Sequence, residues 1–248
     1  MHLGLKKAGT QVKKGPIMQS IILDVNLWKF RSELISGIEV TLLISICAVV
    51  LGSIIGLFIA IMHMSKKRVV NVIATTYVEI LRGTPLIVQL MFVYYAVPLI
   101  LQAILSNFGS SIEINIPTIP AGIIAVAINS SAYVSEAIRA GFNSIDKGQT
   151  EAARSLGLPK KLTMRYVIIP QALKNIWPAL GNEFVALIKE SSIVLVIGTP
   201  DIMYQINNIR AVTFEPVAPL ILSAVIYFVL TFGLTRIMKH FEGKMQHD

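Results

Sequence analysis

Cysteine is nearly missing: Cys47 is the only one in 248 residues. Neither a disulfide framework nor a cysteine-based metal site is available, and a lone thiol inside an apolar run is expected to serve packing. Charge is scarce as well. Asp, Glu, Lys and Arg make up 15% of the chain against 54% hydrophobic residues, and the mean hydropathy is +0.68, which lies outside the range of soluble globular domains. The four histidines, His2, His63, His240 and His247, sit near the termini and at the end of an apolar run, without a spacing suited to a metal site or a nucleophile relay. A phosphate-binding G-x-x-x-x-G-K-[ST] loop is absent: in EGKMQ near the C-terminus, Met245 follows Lys244 where Ser or Thr would be needed for Mg²⁺. Catalysis, ATP hydrolysis included, is not expected of this chain.

What is present is a series of apolar segments. Five are long enough to cross a hydrocarbon core, running approximately over residues 40–62, 72–101, 120–138, 177–197 and 217–237, where about 20 helical residues are needed. The second is interrupted by RGTPL. Pro85 removes a backbone donor and pushes Thr84 away from helical angles, so a kink or a helix start is expected there. The net charge of +8 fits either a nucleic-acid surface or basic cytoplasmic loops. Its placement decides: Lys66, Lys67 and Arg68 follow the first span, seven basic residues from Arg139 to Lys174 follow the third, and Arg236, Lys239 and Lys244 follow the fifth. These three regions are assigned to the cytoplasm. The segment SNFGSSIEINIPTIP has no Lys or Arg and is assigned outside. With no recognition module joining the basic residues, nucleic acid is not a partner. Residues 1–17 carry four lysines and no acid but lack the apolar core of a signal peptide; they are expected to be mobile, and Met18 opens a more ordinary start.

The connection GQTEAARSLGLPKKLTMRYVIIP has a helical pattern of its own. Asp146 is placed to cap a helix, with Gln149 completing a variant of the capping box; Ala152, Ala153 and Leu156 form a small apolar face; Gly157 stops the helix and Pro159 restarts the chain. Leu162, Tyr166 and Ile169 give a second helix an apolar side, which Pro170 is expected to end. Physical chemistry leaves two uses open for such an element: docking into a partner's groove or lying on lipid headgroups.

EAARSLGLPKKLTMRYVIIPQA resembles the EAA loop of permease subunits in ATP-binding-cassette importers, through Glu151, Ala152, Ala153, Gly157 and Pro170. The resemblance continues through EILRGTPLIVQL, INSSAYVSEAIRAG and PALGNEFVALIKESSIVLVIG, which look like the polar amino-acid branch, and covers most of residues 35–240. It implies an all-α membrane protein of the type I importer fold, with five transmembrane helices and the EAA helices seated in a cytoplasmic ATPase. It further implies a second permease subunit, identical or similar, an extracytoplasmic amino-acid-binding protein, a bacterial inner membrane, and ATP and Mg bound only by the ATPase chain. The organisation expected is an N-terminal extension over 1–33, a permease domain over 34–240 with its coupling loop at 140–175, and a tail over 241–248.

Ionisable groups within a span cost about 2.5–3.5 kcal/mol each at mid-bilayer and so call for a reason. Glu79 with Arg82, and Glu136 with Arg139, are spaced for structural pairs near the cytoplasmic ends. Lys189 and Glu190 are open to three readings: a gate, an interhelical pair or packing. Asn129, Tyr133 and Glu183 are expected near mid-membrane and are the candidate substrate residues, against the alternative that Asn129 and Tyr133 merely join helices by hydrogen bonds. Glu183 is the group expected to read a cationic side chain, or otherwise to pair with Lys189 or with the α-amino group of any amino acid, which would make the substrate range broad. An ion-coupled secondary carrier and a membrane scaffold without transport are the rival functions.

Overall fold

The computed structural model describes residues 27–109 and 112–247; the expectations for residues 1–17 lie outside them. After a 3₁₀ turn at Leu27–Phe30, helix α1 runs over Arg31–His63, starting well before the apolar run that announced it. Along it Gly37, Thr41, Ser45, Ala48, Gly52, Gly56 and Ala60 are all buried. This near-fourfold repeat of small side chains is the face that lets a second backbone approach. The partner is α4, Thr118–Asn143, itself rich in buried Ala, Gly and Ser. A Cβ on Gly52 would lie 3.1 Å from the carbonyl oxygen of Ala127, and one on Gly56 would lie 2.8 Å from that of Ser131 and 2.7 Å from Val134 Cγ1. Ile44 meets Gly122 at the other end. Contacts that advance together along both chains make the pair parallel, so Lys66–Arg68 and the start of the basic connection emerge at one face.

Between them, α2 covers Arg68–Gly83 and α3 covers Leu86–Asn107. Thr84 and Pro85 are extended, at φ −118°, ψ 143° and φ −64°, ψ 139°. The expected second span from residue 72 to 101 is therefore two helices, and the long apolar one starts after Pro85. Within α3 the chain widens into a π turn at Phe92–Ala96, just ahead of Pro98. A proline has no N–H for the carbonyl four residues back and its ring crowds that oxygen, so a local widening relieves both.

The same device corrects the expectation that Pro170 ends a helix. The connection holds α5, Lys147–Ser155, and α6, Lys160–Thr163; a π turn at Met164–Ile168 then leads straight into α7, Ile169–Glu190, with Pro170 in its first turn. The helix runs unbroken through Pro170, so the widened turn ahead of it absorbs the missing donor and the crowding of the ring. Helix α7 stops at Glu190, short of the expected residue 197, and gives way to a 3₁₀ turn at Ser191–Ile197 closed by Gly198 at φ 76°. It runs antiparallel to α4: Gly141 abuts Ile176, Ser130 meets Glu183 and Gly122 meets Val194.

Helix α8, Ile202–Thr213, is capped by Asp201, whose carboxylate accepts from the Tyr204 N–H at 2.9 Å, and it seats on α1 where Gly37 lies under Asp201 and Gln205. Helix α9, Ala218–His247, packs back along α7, with Gly181 against Met238. Among the described residues four helices are long and apolar enough to cross a membrane: the first, running over Trp28–His63 with its leading turn, then α3, α4 and the Ala218–Lys244 part of α9. The more polar α7 lies alongside them as the fifth. Ile44, Leu90, Val126, Leu187 and Val194 form the main core, while Phe58, Leu99, Phe228 and Val229 point outward, as lipid-facing side chains do. No hydrophobic force drives helices together in lipid, so close packing and hydrogen bonds hold the bundle. Ser45 is one such bond: its hydroxyl donates to Thr41 O at 2.8 Å and sits 3.4 Å from Leu187 O on α7.

Candidate substrate cavity and coupling loop

The break at Thr84–Pro85 leaves the last carbonyls of α2 without helical donors. Gln89 replaces them. Its Nε2 donates to Leu81 O at 2.8 Å, to Thr84 O at 3.2 Å and to Thr84 Oγ1 at 2.9 Å, while its Oε1 accepts from Asn129 Nδ2 at 3.1 Å. The extended dipeptide is thereby pinned to the middle of α4. Beside it opens a cavity of about 470 Å³ lined by Thr84, Pro85, Asn129, Tyr133, Glu190 and Ser192, among others. That volume falls in the range of small-molecule sites.

Asn129 is 5% exposed, so its amide is mostly spent on the helix-joining bond while one face still borders the cavity; Tyr133 is 40% exposed. The guanidinium of Arg82 stands 5.5 Å from the Tyr133 ring centroid, a cation–π arrangement that holds the ring at the cavity edge. Glu183 lies apart. Its Oε1 accepts from Ser130 Oγ at 2.7 Å, and it is not among the cavity's lining residues. The acid that borders the cavity is Glu190, two helical turns further along α7. Asn129 and Tyr133 are thus brought together, with Glu190 beside them and Glu183 one layer away.

Below the cavity, toward the basic face, Glu136 gathers basic side chains from three helices. Arg139 binds it through Nη2 at 2.7 Å and Nε at 3.0 Å, His63 Nδ1 stands 3.4 Å away and Arg82 Nη1 3.8 Å. The expected Glu136–Arg139 pair forms. The expected Glu79–Arg82 pair does not: Arg82 turns to Glu136, and Glu79 is exposed with no ion-pair partner among the described residues. The carboxylate on α4 is nearer the bundle interior, so it offers a less screened field than a solvent-facing group on the same helix.

The connection between α4 and α7 is built by local rules. Asp146 caps α5 by accepting from the Gly148 N–H at 2.7 Å, but Gln149 does not complete a capping box; its Oε1 accepts from Gln171 Nε2 at 3.3 Å. Helix α5 closes in a Schellman turn, with Leu158 N–H on Ala153 O at 3.1 Å, Gly157 N–H on Arg154 O at 3.0 Å and Gly157 at φ 85°. Ala153 is buried, and Asn175 donates to Ser144 Oγ at 2.8 Å, which ties the loop's base to α7. On the other side Glu151, Ala152, Leu156, Leu162 and Tyr166 are exposed, Leu156 at 82%. An apolar set this exposed beside Arg154, Lys160 and Lys161 marks a contact surface.

An all-helical bundle with a cavity of mixed polar and apolar lining at a broken helix and an outward-facing helical loop defines a membrane translocation subunit. Residues 35–247 match the family described as binding-protein-dependent transport system inner membrane component, and the chain belongs to that family. It is 43% identical over 212 residues to a protein of Rickettsia typhi named as a glutamine transport system permease, covering 86% of this chain and 92% of that one. It is 41% identical over 215 residues to the arginine transport system permease ArtQ of Bacillus subtilis, covering 87% and 93%. A solved amino acid ABC transporter with histidines superposes with a TM-score of 0.78 at 47% identity, covering 88% of this chain and 96% of that one.

Two residues of this site were not singled out for it from sequence. Gln89 falls within EILRGTPLIVQL without a role of its own there, although its position four residues after Pro85 is the signal of a side chain that can reach back over the break. Glu190 shares a face with Glu183 at i and i+7, which gives no ground for choosing between them.

Proposed function

We propose that this chain is the translocation subunit of an ATP-driven importer of polar amino acids, with a preference for cationic ones, and that the substrate sits in the cavity beside Thr84–Pro85. The observation that carries this reading is the convergence of Asn129, Tyr133 and Glu190 on one space of about 470 Å³. Glu190 balances the ammonium or guanidinium of a cationic side chain, Asn129 and the Tyr133 hydroxyl bond the α-amino and carboxylate groups, and Glu183 braces α4 against α7 through Ser130. The names of the relatives support an amino acid and split between glutamine and arginine, so a broad polar importer is the second reading.

Transport needs no covalent chemistry here. An ATPase pair closing on ATP and Mg²⁺ moves the α5–α6 elements of two permease chains, seated through Leu156, Leu162 and Tyr166. The tied base at Ala153 and Asn175 passes that displacement to α7, and the Glu136 cluster passes it among α1, α2 and α4 as rigid bodies. A binding protein delivers the amino acid from outside the inner membrane.

The test is uptake of arginine and glutamine into proteoliposomes holding the assembled transporter, each with a binding protein that delivers it. Glu190→Gln is expected to lower arginine uptake by about tenfold, the order of one charge-assisted hydrogen bond, and glutamine uptake much less. Equal loss of both would remove Glu190 as the reader of side-chain charge, and uptake without ATP would remove the importer reading.

A further inference from the structure

A groove on the outer face of the bundle runs between α1, α7 and α9, and its character changes along its length. Toward mid-membrane it is a trough of about 500 Å³ walled by Val50, Ile54 and Phe184, among others, with almost no polar surface. Toward the basic face it continues into a smaller space of about 180 Å³ that includes Asn182, Thr235, Lys239 and Glu242. Trp177, Gly181 and Met238 line both parts, so the two are one continuous site. Gly181 faces Met238 across the passage, where a Cβ would sit in ordinary contact at 3.4 Å.

Three observations bear on its occupant. Val50 and Ile54 are 53% and 51% exposed, so the trough opens sideways to lipid. Lys239 and Glu242 stand one helical turn apart at the polar end, and no ion pair joins them to each other or to another described residue. The indole N–H of Trp177, at the junction of the two parts, is buried and has no acceptor among the described residues. An apolar channel, then an unmet donor, then one cation and one anion at the cytoplasmic surface is the order of groups in a membrane lipid read from its tail outward.

We propose that this groove binds an inner-leaflet phospholipid with a zwitterionic, primary-amine headgroup. An acyl chain lies along Val50, Ile54 and Phe184; an ester carbonyl accepts from the Trp177 N–H; the phosphate pairs with Lys239 and the ammonium with Glu242. The charge pair sets the headgroup. An anionic lipid would leave Glu242 facing negative charge, and a quaternary amine offers that carboxylate no N–H to accept from. Long basic side chains at the ends of spans ordinarily snorkel to the headgroups; here the neighbouring acid makes the site selective. Because α9 packs on α7, the helix leading from the coupling loop, a lipid held here bears on the element that moves.

The chain has two tryptophans, Trp28 and Trp177, so Trp28→Phe leaves one reporter in the groove. The full-length Trp28→Phe chain is reconstituted in vesicles of phosphatidylcholine and phosphatidylglycerol. One-fifth of the lipid is replaced in turn by acyl-brominated phosphatidylethanolamine, phosphatidylcholine or phosphatidylglycerol, and quenching of Trp177 is read. Brominated phosphatidylethanolamine is expected to quench about threefold more than either of the others, because a preference of about tenfold, the scale of one charge-assisted hydrogen bond, raises the site's share of a lipid present at one-fifth by about that factor. The Lys239→Ala/Glu242→Gln chain, monodisperse in detergent, is expected to lose that preference. Equal quenching by all three lipids would mean a non-selective lipid annulus and overturn the proposal. Quenching by none would mean that another protein chain covers the groove and overturn it equally, and a preference that survives the double substitution would remove the two charges as its cause.

Discussion

Asn129 and Gln89 are joined side chain to side chain, Nδ2 to Oε1 at 3.1 Å, across 40 residues of sequence. Through that bond the most buried helix of the bundle holds the one place where a helix is interrupted beside the proposed substrate cavity. Removing Gln89 and removing Asn129 should therefore differ. Gln89→Leu deprives Leu81 O, Thr84 O and Thr84 Oγ1 of their donor and is expected to cost about 0.5–1.5 kcal/mol, together with uptake. Asn129→Ala is expected to spare stability more and to weaken substrate affinity. Thermal unfolding in detergent set beside the concentration dependence of uptake separates the two; identical profiles for both variants would mean that the bond only joins helices.

Gly157 supplies a backbone conformation and no space. It has φ 85°, and a Cβ there would meet nothing within 4 Å. Gly157→Val should reduce uptake and ATPase co-purification together, since left-handed backbone costs a substituted residue about 1–2 kcal/mol. Gly157→Asn should retain most of both, because Asn tolerates that region. If Val and Asn behave alike, the left-handed turn is not what coupling requires.

The close approach of α1 to α4 makes Gly56 sensitive to a single methyl. With Val134 Cγ1 at 2.7 Å and Ser131 O at 2.8 Å from the added carbon, Gly56→Ala is expected to destabilise by about 1–3 kcal/mol. Gly233→Ala on α9, where nothing lies within 4 Å, is the matched control and should be neutral or slightly stabilising, since Ala favours a helix over Gly. A melting temperature unchanged by Gly56→Ala would show that the two helices can part locally at no cost.

Glu136 and Glu79 are both acids near the basic face, and only Glu136 has cations around it. Glu136→Gln leaves Arg139, Arg82 and His63 without their shared anion and should lower both thermal stability and uptake. Glu79→Gln should change stability by less than about 0.5 kcal/mol, as exposed substitutions do. Equal effects would mean that the cluster is an exposed ion network with no mechanical part.

What could be read from the residues was whatever the backbone settles over a few positions. The extended Thr84–Pro85 pair follows from a proline's missing donor and its crowding of the preceding residue. The Asp146 cap and the Schellman turn at Gly157 follow from polar groups satisfied within four or five residues. The apolar runs and the placement of Lys and Arg give the helical class and the shared face of the basic segments, because lipid admits no unsatisfied backbone. The π turns ahead of Pro98 and Pro170 were less legible. A proline can end a helix or be absorbed by a widened turn, and packing on both sides decides which.

Tertiary structure alone decided which polar groups meet. Glu183 and Glu190 share a helix face, yet Ser130 on the antiparallel α4 takes the first, and the end of α7 carries the second to the cavity. Arg82 could have paired with Glu79 on its own helix but turns to Glu136, and the groove that brings Lys239 and Glu242 beside Trp177 exists only where α9 packs on α7. Local rules act through bonds of fixed geometry between near neighbours. The partner of a long polar side chain depends on where helices distant in sequence cross, and many crossings are compatible with the same apolar pattern.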